Sequence, residues 1–258
     1  MTSHTIDITC DMGESFGIYK IGRDEEVMPF ISTANVGCGF HGGDPTVMRH
    51  TVRLAKQHGV AIGAHFGYYD LRGFGRRWIT MDKGDLINDI IYQMGALQAI
   101  CHAEGAEITH VKPHGALDDM AALDSSIASA IVEAVAIFDA RLPIYTVWNA
   151  QTRRLAEEAG IPTVLQVYVD RGVTDEGVEI AGYRLECVGG STEAAVGRVM
   201  TSVTTGKLAS EHGRPLDWEA NSVCFHGDGP DALIYATALP AALRDAGLSI
   251  AAPYARAA

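Results

Sequence analysis

The sequence lacks any Cys-x-x-Cys pair. Its five cysteines (Cys10, Cys38, Cys101, Cys187, Cys224) are odd in number and widely spaced. That pattern argues against a disulfide frame or a structural zinc site and leaves small buried hydrophobes in a reducing compartment. No apolar run approaches the roughly 18 residues of a membrane span. Met1 to Asp11 carries neither a basic n-region nor an apolar h-region, so no signal peptide is read there and a cytoplasmic location is expected. Basic residues are scarce: 20 Lys plus Arg stand against 32 Asp plus Glu, a net charge of −12. Nucleic acid and anionic membrane are therefore excluded as main partners. No Gly-x-Gly-x-x-Gly follows the first strand and no Walker A motif occurs, so neither common nucleotide site is advertised. No low-complexity tract or Pro/Ser linker divides the chain, so residues 1–258 are expected to form one domain.

What is present alternates. Short strand-like runs occur at Thr5–Thr9, Thr33–Cys38, Val60–Ala64, Ile108–Lys112, Leu142–Val147, Thr163–Tyr168 and Ser222–Phe225. Several are apolar throughout, as in parallel strands buried on both faces. Helical periodicity fills the gaps. Asp44-Pro45 reads as an N-cap with Pro at the first helical position, closed by Gly59. Further helices are expected over Asp85–Glu104, Asp124–Phe138, Asn149–Ala159, Thr192–Leu208 and Asp231–Asp245, the last bent or broken at Pro240. Strand and helix repeat about seven times, which defines an α/β fold, and the length suits a barrel better than a flat sheet. The polar stretch Asp170–Glu186 is expected to form a hairpin or an excursion over one barrel end.

Ionisable residues gather where strands end. The first strand runs into Asp11 and Glu14, the second carries Asn35 and runs into His41 and Asp44, and the third runs into His65 with Tyr68 and Asp70 behind. The fourth runs into Lys112 and His114, the sixth into Asp170 and Arg171, and the last into His226 and Asp228. In a β/α barrel these ends share one face, where active sites lie. Glycine, about 11% of the chain against a usual 7%, clusters beside them. A lone strand-end His is commonly structural; four at four strand ends point to a pocket. His4, His50, His58, His102 and His212 read as surface residues, and His110 as a structural strand residue. Lys112 is either functional or an ion-pair partner of Asp11 or Asp228. The stretch Arg72–Arg77, with Arg76 and Arg77, reads equally as an anion site or a solvated loop. Carboxylates, imidazoles and a lysine suit hydrolysis through activated water, with or without a divalent metal. No His-x-His spacing occurs, and the one His-x-x-x-His pair, His110 and His114, spans a strand-like run instead of a helix, so neither spacing fixes metal ligands locally.

Cys-Asp-Met-Gly-Glu at 10–14, Ala34–Pro45, Gly63–His65 with Gly67, Gly73–Arg77, His110–Leu117 and Val223–Asp228 occur in the order of a known family. From about Asp7 to Leu243 the chain resembles the LamB/YcsF family. The resemblance implies an irregular seven-stranded β/α barrel, similar to the glycoside hydrolase/deacetylase fold. It implies a lactam hydrolase subunit of the ATP-dependent 5-oxoprolinase type, working with two partner subunits, B and C, that share in ATP handling. Candidate catalytic residues are then Asp11, Glu14, His41, His65, Lys112, His114, His226 and Asp228, with Asp228 orienting His226 or Lys112. Candidate substrate-side residues are Asn35, Asp44, Tyr68, Arg76, Arg77, Asp170 and Arg171. ATP-coupled activation replaces Lewis-acid polarisation in this reading, so no tightly bound metal is expected. Asp118-Asp119 stands where the family usually has Tyr-Asn, which implies an altered substrate side. The competing readings are a stand-alone metal-dependent amidohydrolase and a catalytically silent member of such a complex.

Overall fold

A computed structural model describes residues 5–254. Its first strand, β1 (Thr5–Met12), sets the architecture. Ile6, Ile8, Cys10 and Met12 alternate with Asp7, Thr9 and Asp11, and all seven are buried. Period-two alternation puts the two sets on opposite faces. The apolar set joins the hydrophobic core, and the polar set hydrogen-bonds across the barrel interior.

The chain continues through α1 (Asp24–Val27), β2 (Thr33–Gly37), α2 (Pro45–His58), β3 (Ala61–Phe66), α3 (Lys83–Ala103), β4 (Ile108–Pro113), α4 (Ala116–Leu123) and α5 (Ser125–Asp139). Then come β5 (Ile144–Val147), α6 (Gln151–Glu158), β6 (Thr163–Tyr168), α7 (Thr192–Thr205), β7 (Lys207–Ala209), β8 (Pro215–Asp217), β9 (Ser222–His226), α8 (Ala232–Asp245) and β10 (Ser249–Ile250). Strands β1 to β6 pair in order, all parallel, and β9 pairs with both β6 and β1. Seven parallel strands therefore close into the expected barrel. Helices wrap it; α3, for example, buries Ile90, Met94, Leu97 and Cys101 along one stripe.

The interior is layered and polar. At the N-terminal end Asp7 accepts hydrogen bonds from Ser32 (2.6 Å), Ser222 (2.7 Å), Thr33 (3.0 Å) and Tyr145 (3.1 Å). Above it the Asn35 amide donates to Thr9 Oγ1 and Asp11 Oδ1, both at 2.8 Å, and His110 Nε2 sits 2.8 Å from Asn35 Oδ1. Each buried polar group left unpaired would cost about 1–3 kcal/mol, so the layers are stable only as a bonded set. Gly63 makes room for this: a Cβ there would lie 2.1 Å from His110 Nε2.

Some local expectations differ from the structure. α7 ends at Thr205 because Gly206 turns left-handed (φ 69°), so Leu208 belongs to the β7–β8 hairpin instead of the helix. α8 runs unbroken through Pro240. Asp82, not Asp85, caps α3 through Gly84 N. α1, α4 and β10 carry no signal recognised in the sequence. Asp170–Glu186 forms no hairpin of regular strands; it holds one antiparallel bridge, Val173 to Glu179, and passes over the barrel mouth.

Candidate active site

Parallel register brings the strand-end residues together. Asp11 on β1 lies opposite His226 on β9, and His65 on β3 lies opposite Lys112 on β4. Lys112 Nζ contacts both Asp11 oxygens at 2.7 and 2.8 Å and Cys224 Sγ at 3.3 Å. Of the two ion-pair partners anticipated for Lys112, the structure selects Asp11. His65 Nε2 is 3.2 Å and His226 Nε2 3.5 Å from Asp11 Oδ2. Burial pushes the Asp11 carboxyl up, but His65 and Lys112 outweigh it and hold the group well below the usual carboxylate range.

A second cluster adjoins the first. Glu14 follows β1, His41 follows β2 and His114 follows β4. Glu14 Oε1 lies 3.0 Å from His41 Nε2, 3.4 Å from His114 Nδ1 and 3.8 Å from His65 Nε2. His114 Nδ1 is 3.0 Å from His65 Nε2, and the His41 and His114 rings stack 3.6 Å apart. One donor atom from each of Glu14, His41, His65 and His114 lies within 4.8 Å of the others, and all four residues are buried. Burial lowers the pKa of each of these three imidazoles and raises that of Glu14.

The loop between β2 and α2 packs this cluster. Gly37, Gly39 and Gly42 do spell Gly-x-Gly-x-x-Gly, after the second strand. A Cβ on Gly37 would lie 3.0 Å from Gly13 O, and one on Gly42 3.0 Å from Glu14 O, so these glycines admit the Glu14 turn. The N-terminus of α2 is already occupied by Asp44 Oδ1, which accepts from Thr46 N and Val47 N. Asp44 therefore caps a helix instead of facing the pocket.

Other expected residues find different partners. His226 is oriented by Asp170, which accepts from its backbone N (2.8 Å) and contacts Nδ1 (3.0 Å); Asp228 does neither. Asp228 accepts from Tyr183 OH and from Arg76 Nη2 at 3.3 Å. Asn35 supports Asp11 from below. Arg77 pairs with Asp70 and is solvent-exposed, while Tyr68 is buried with its hydroxyl on Met120 Sδ. Neither lines the pocket. His50, His58, His102 and His212 are exposed and His110 is internal; His4 lies outside the described residues.

The cavity above Asp11 is small, about 120 Å³, against roughly 300–1,000 Å³ for sites of drug-sized ligands. Arg76, Lys112 and Arg171 give its wall positive charge. Asp118 and Asp119, which the family resemblance puts on the substrate side, and Glu179, which no sequence signal singled out, oppose them. Burial, reinforced by Asp119, raises Asp118 to about 7 and Glu179 to about 8. Asp118 lies in the first turn of α4, next to the strand end that carries His114. Arg171 is only 4% exposed, lies 4.3 Å from the Tyr183 ring centre and 3.7 Å from Glu179, and its Nε and Nη1 have no hydrogen-bond partner among the described residues.

The fold is shared with distant structures: a putative cellobiose-phosphate cleavage protein from Enterococcus faecalis (TM-score 0.62, 11% identity, 97% of each chain) and a T48 deacetylase (TM-score 0.50, 12% identity, 96% of this chain and 88% of that one). Fold and site together define a seven-stranded β/α-barrel protein with a carboxylate–imidazole–lysine cluster at its C-terminal mouth. The chain belongs to the LamB/YcsF family, which it matches over residues 6–258. It is 44% identical over 248 residues to the 5-oxoprolinase A-subunit of Symbiobacterium thermophilum, covering 96% of this chain and 95% of that protein. It is 40% identical over 252 residues to that of Brevibacillus brevis, covering 98% and 99%. The crystal structure of the lactam utilization protein from Thermus thermophilus superposes with a TM-score of 0.89 at 38% identity, covering 96% and 99%. Among the described residues no single helix is long and apolar enough to cross a membrane.

Proposed function

We propose that this chain is the lactam-binding subunit of a 5-oxoprolinase-type hydrolase, a one-domain barrel acting in the reducing cytoplasm with two partner subunits, B and C, that share in ATP handling. The observation that carries the reading is the buried Asp11–Lys112 pair at the floor of a small, charged pocket, in a chain alike over nearly its whole length to proteins named as 5-oxoprolinase A-subunits. All five cysteines are free and buried, which suits a reducing compartment.

An unstrained five-membered lactam is a poor electrophile. Transfer of the ATP γ-phosphoryl group to the lactam oxygen leaves ADP and makes the ring carbon open to water. Water adds to that carbon, the ring C–N bond breaks with its electron pair and a proton going to nitrogen, and phosphate departs on hydrolysis of the acyl phosphate. In this reading ionised Asp11 orients the water and takes its proton, with His65 and His226 beside it. Lys112 stabilises negative charge on the substrate oxygen. Asp170 holds the ring of His226. Arg171 and Arg76 receive the carboxylate that a substrate such as 5-oxoproline carries, because Arg171 alone among the pocket cations is buried with free donors. The pocket is too small for a nucleotide together with a lactam, which agrees with ATP being bound with the partners' help.

A panel of cyclic amides, assayed with the purified chain alone and with the other subunits, each with and without ATP, tests this. Turnover that needs both ATP and partners supports it. Turnover by the chain alone supports the stand-alone amidohydrolase, a reading that the Glu14–His41–His65–His114 cluster favours.

A further inference from the structure

The cluster formed by Glu14, His41, His65 and His114 has a second property besides proximity. His65 Nδ1 lies 3.0 Å from the backbone oxygen of Lys112, and His114 Nε2 lies 2.8 Å from that of Phe74. A carbonyl only accepts, so each ring must donate its N–H there, and that fixes both tautomers. The opposite nitrogens, His65 Nε2 and His114 Nδ1, are then lone pairs facing each other at 3.0 Å, with Glu14 Oε1 3.8 and 3.4 Å away and the Asp11 carboxylate 3.2 Å from His65 Nε2. Lone pairs aimed at one another in a buried site repel unless a cation lies among them. Outer-sphere carbonyls on the far ring nitrogen are the usual device by which proteins orient metal-binding imidazoles.

The spacing fits as well. A tetrahedral ion with bonds of about 2.0–2.2 Å sets its ligand atoms about 3.3–3.6 Å apart. Four of the six separations are 3.0 Å (Glu14 to His41), 3.0 Å (His65 to His114), 3.4 Å (Glu14 to His114) and 3.8 Å (Glu14 to His65), which straddle that edge, and all six lie within 4.8 Å. We propose that Glu14 Oε1, His41 Nε2, His65 Nε2 and His114 Nδ1 form a site for one first-row divalent transition-metal ion, Zn²⁺ or a close equivalent. Three imidazoles and one carboxylate suit such ions and disfavour Mg²⁺ and Ca²⁺, which prefer all-oxygen sets. His65 and His114 also line the substrate cavity, which gives an ion a way in. When bound, such an ion supplies Lewis acidity beside Asp11. His41 is the least secured ligand, since its Nδ1 has no partner among the described residues. The competing occupant is a proton, shared between His65 and His114. All four ligand atoms belong to the chain itself, so the ion binds whichever substrate the pocket takes.

The test is binding, read without substrate. Chelator-treated protein is titrated with ZnCl₂ by calorimetry, and separately with CoCl₂ while visible absorption is recorded. The expected result is one Zn²⁺ per chain and the ligand-field bands of a low-coordinate Co²⁺ complex with nitrogen and oxygen donors. Glu14→Gln, which keeps the shape, and His114→Ala should each weaken binding by about 10–100-fold or more, while His50→Ala leaves it unchanged. Absence of stoichiometric binding to the wild-type protein overturns the proposal and favours the proton. So does unchanged affinity in folded Glu14→Gln, which decides the matter even if His114→Ala fails to fold. Neither failure touches the lactam reading, whose assay is separate.

Discussion

Lys112 Nζ and the Asp11 carboxylate are paired at 2.7 and 2.8 Å with both side chains all but removed from solvent. Burial alone would drive each toward its neutral form; His65 and Lys112 together lower Asp11, and Asp11 raises Lys112. The pair thus keeps an ionised base and a cation side by side at the floor of the pocket. A buried pair of this kind adds little net stability, but breaking it by removing one partner is costly.

Lys112→Met should therefore have two separable effects. Stability should fall by about 3–5 kcal/mol, since Asp11 is left buried and unpaired. Turnover per folded molecule should fall by about 10²-fold or more, the scale of losing one oxyanion donor. The double variant Asp11→Asn/Lys112→Met should regain much of the stability and none of the activity. Denaturant melts and turnover on the same preparations separate the effects; normal turnover per folded Lys112→Met molecule would rule out a catalytic role.

Arg171→Met should raise KM for a carboxylate-bearing lactam such as 5-oxoproline by about 10-fold or more, the weight of a hydrogen bond to a charged group. It should leave KM for the uncharged 2-pyrrolidinone unchanged. Equal losses on both substrates would show that Arg171 shapes the pocket without reading the carboxylate.

Asp118 at about 7 and Glu179 at about 8 hold protons when folded that the unfolded chain releases near the ordinary values of 3.8 and 4.5. Their folded pKa values are raised, so the folded state binds more protons over that range. Their contribution to stability is full below about pH 4 and declines as pH rises through about 8. The buried imidazoles, lowered from 6.5, act in the opposite sense below about pH 7, so chemical-denaturation midpoints measured from pH 7 to 8.5 should fall, and Glu179→Gln should flatten the fall. A Glu179→Gln variant with the same slope as wild type would show that the carboxyl is not perturbed in this way.

Gly63→Ala should destabilise the barrel by about 1–3 kcal/mol, the range for overpacking a filled core, because its Cβ would press on His110 Nε2. Adding His110→Ala should recover part of that loss. A Gly63→Ala protein that melts like wild type would place His110 elsewhere in solution.

Much of this arrangement was legible in the sequence and some was not, for physical reasons. The strands, their parallel order and the convergence of Asp11, His65, Lys112 and His226 followed from strand-end chemistry, because a β/α barrel points all C-terminal strand ends one way. The polar interior did not follow. Asp7, Thr9 and Asp11 alternate with apolar residues on a strand buried on both faces, and alternation alone reads equally as an exposed face. The roles of Asp170 and Asp228 depend on where a loop without regular strands crosses the mouth, which no local pattern encodes. Glu179 and Arg171 share that loop. The Glu14–His41–His65–His114 grouping draws on separate strand ends, so no motif spacing announces it.

The most direct measurement is conversion of 5-oxoproline to glutamate by the complex assembled from this chain and the two partner subunits, followed together with ADP release. The expected result is ATP-dependent glutamate formation at one ADP per ring opened, absent without this chain and reduced by about 10²-fold or more with Asp11→Asn at equal complex assembly. Glutamate formation at the wild-type rate by a complex carrying Asp11→Asn would contradict it.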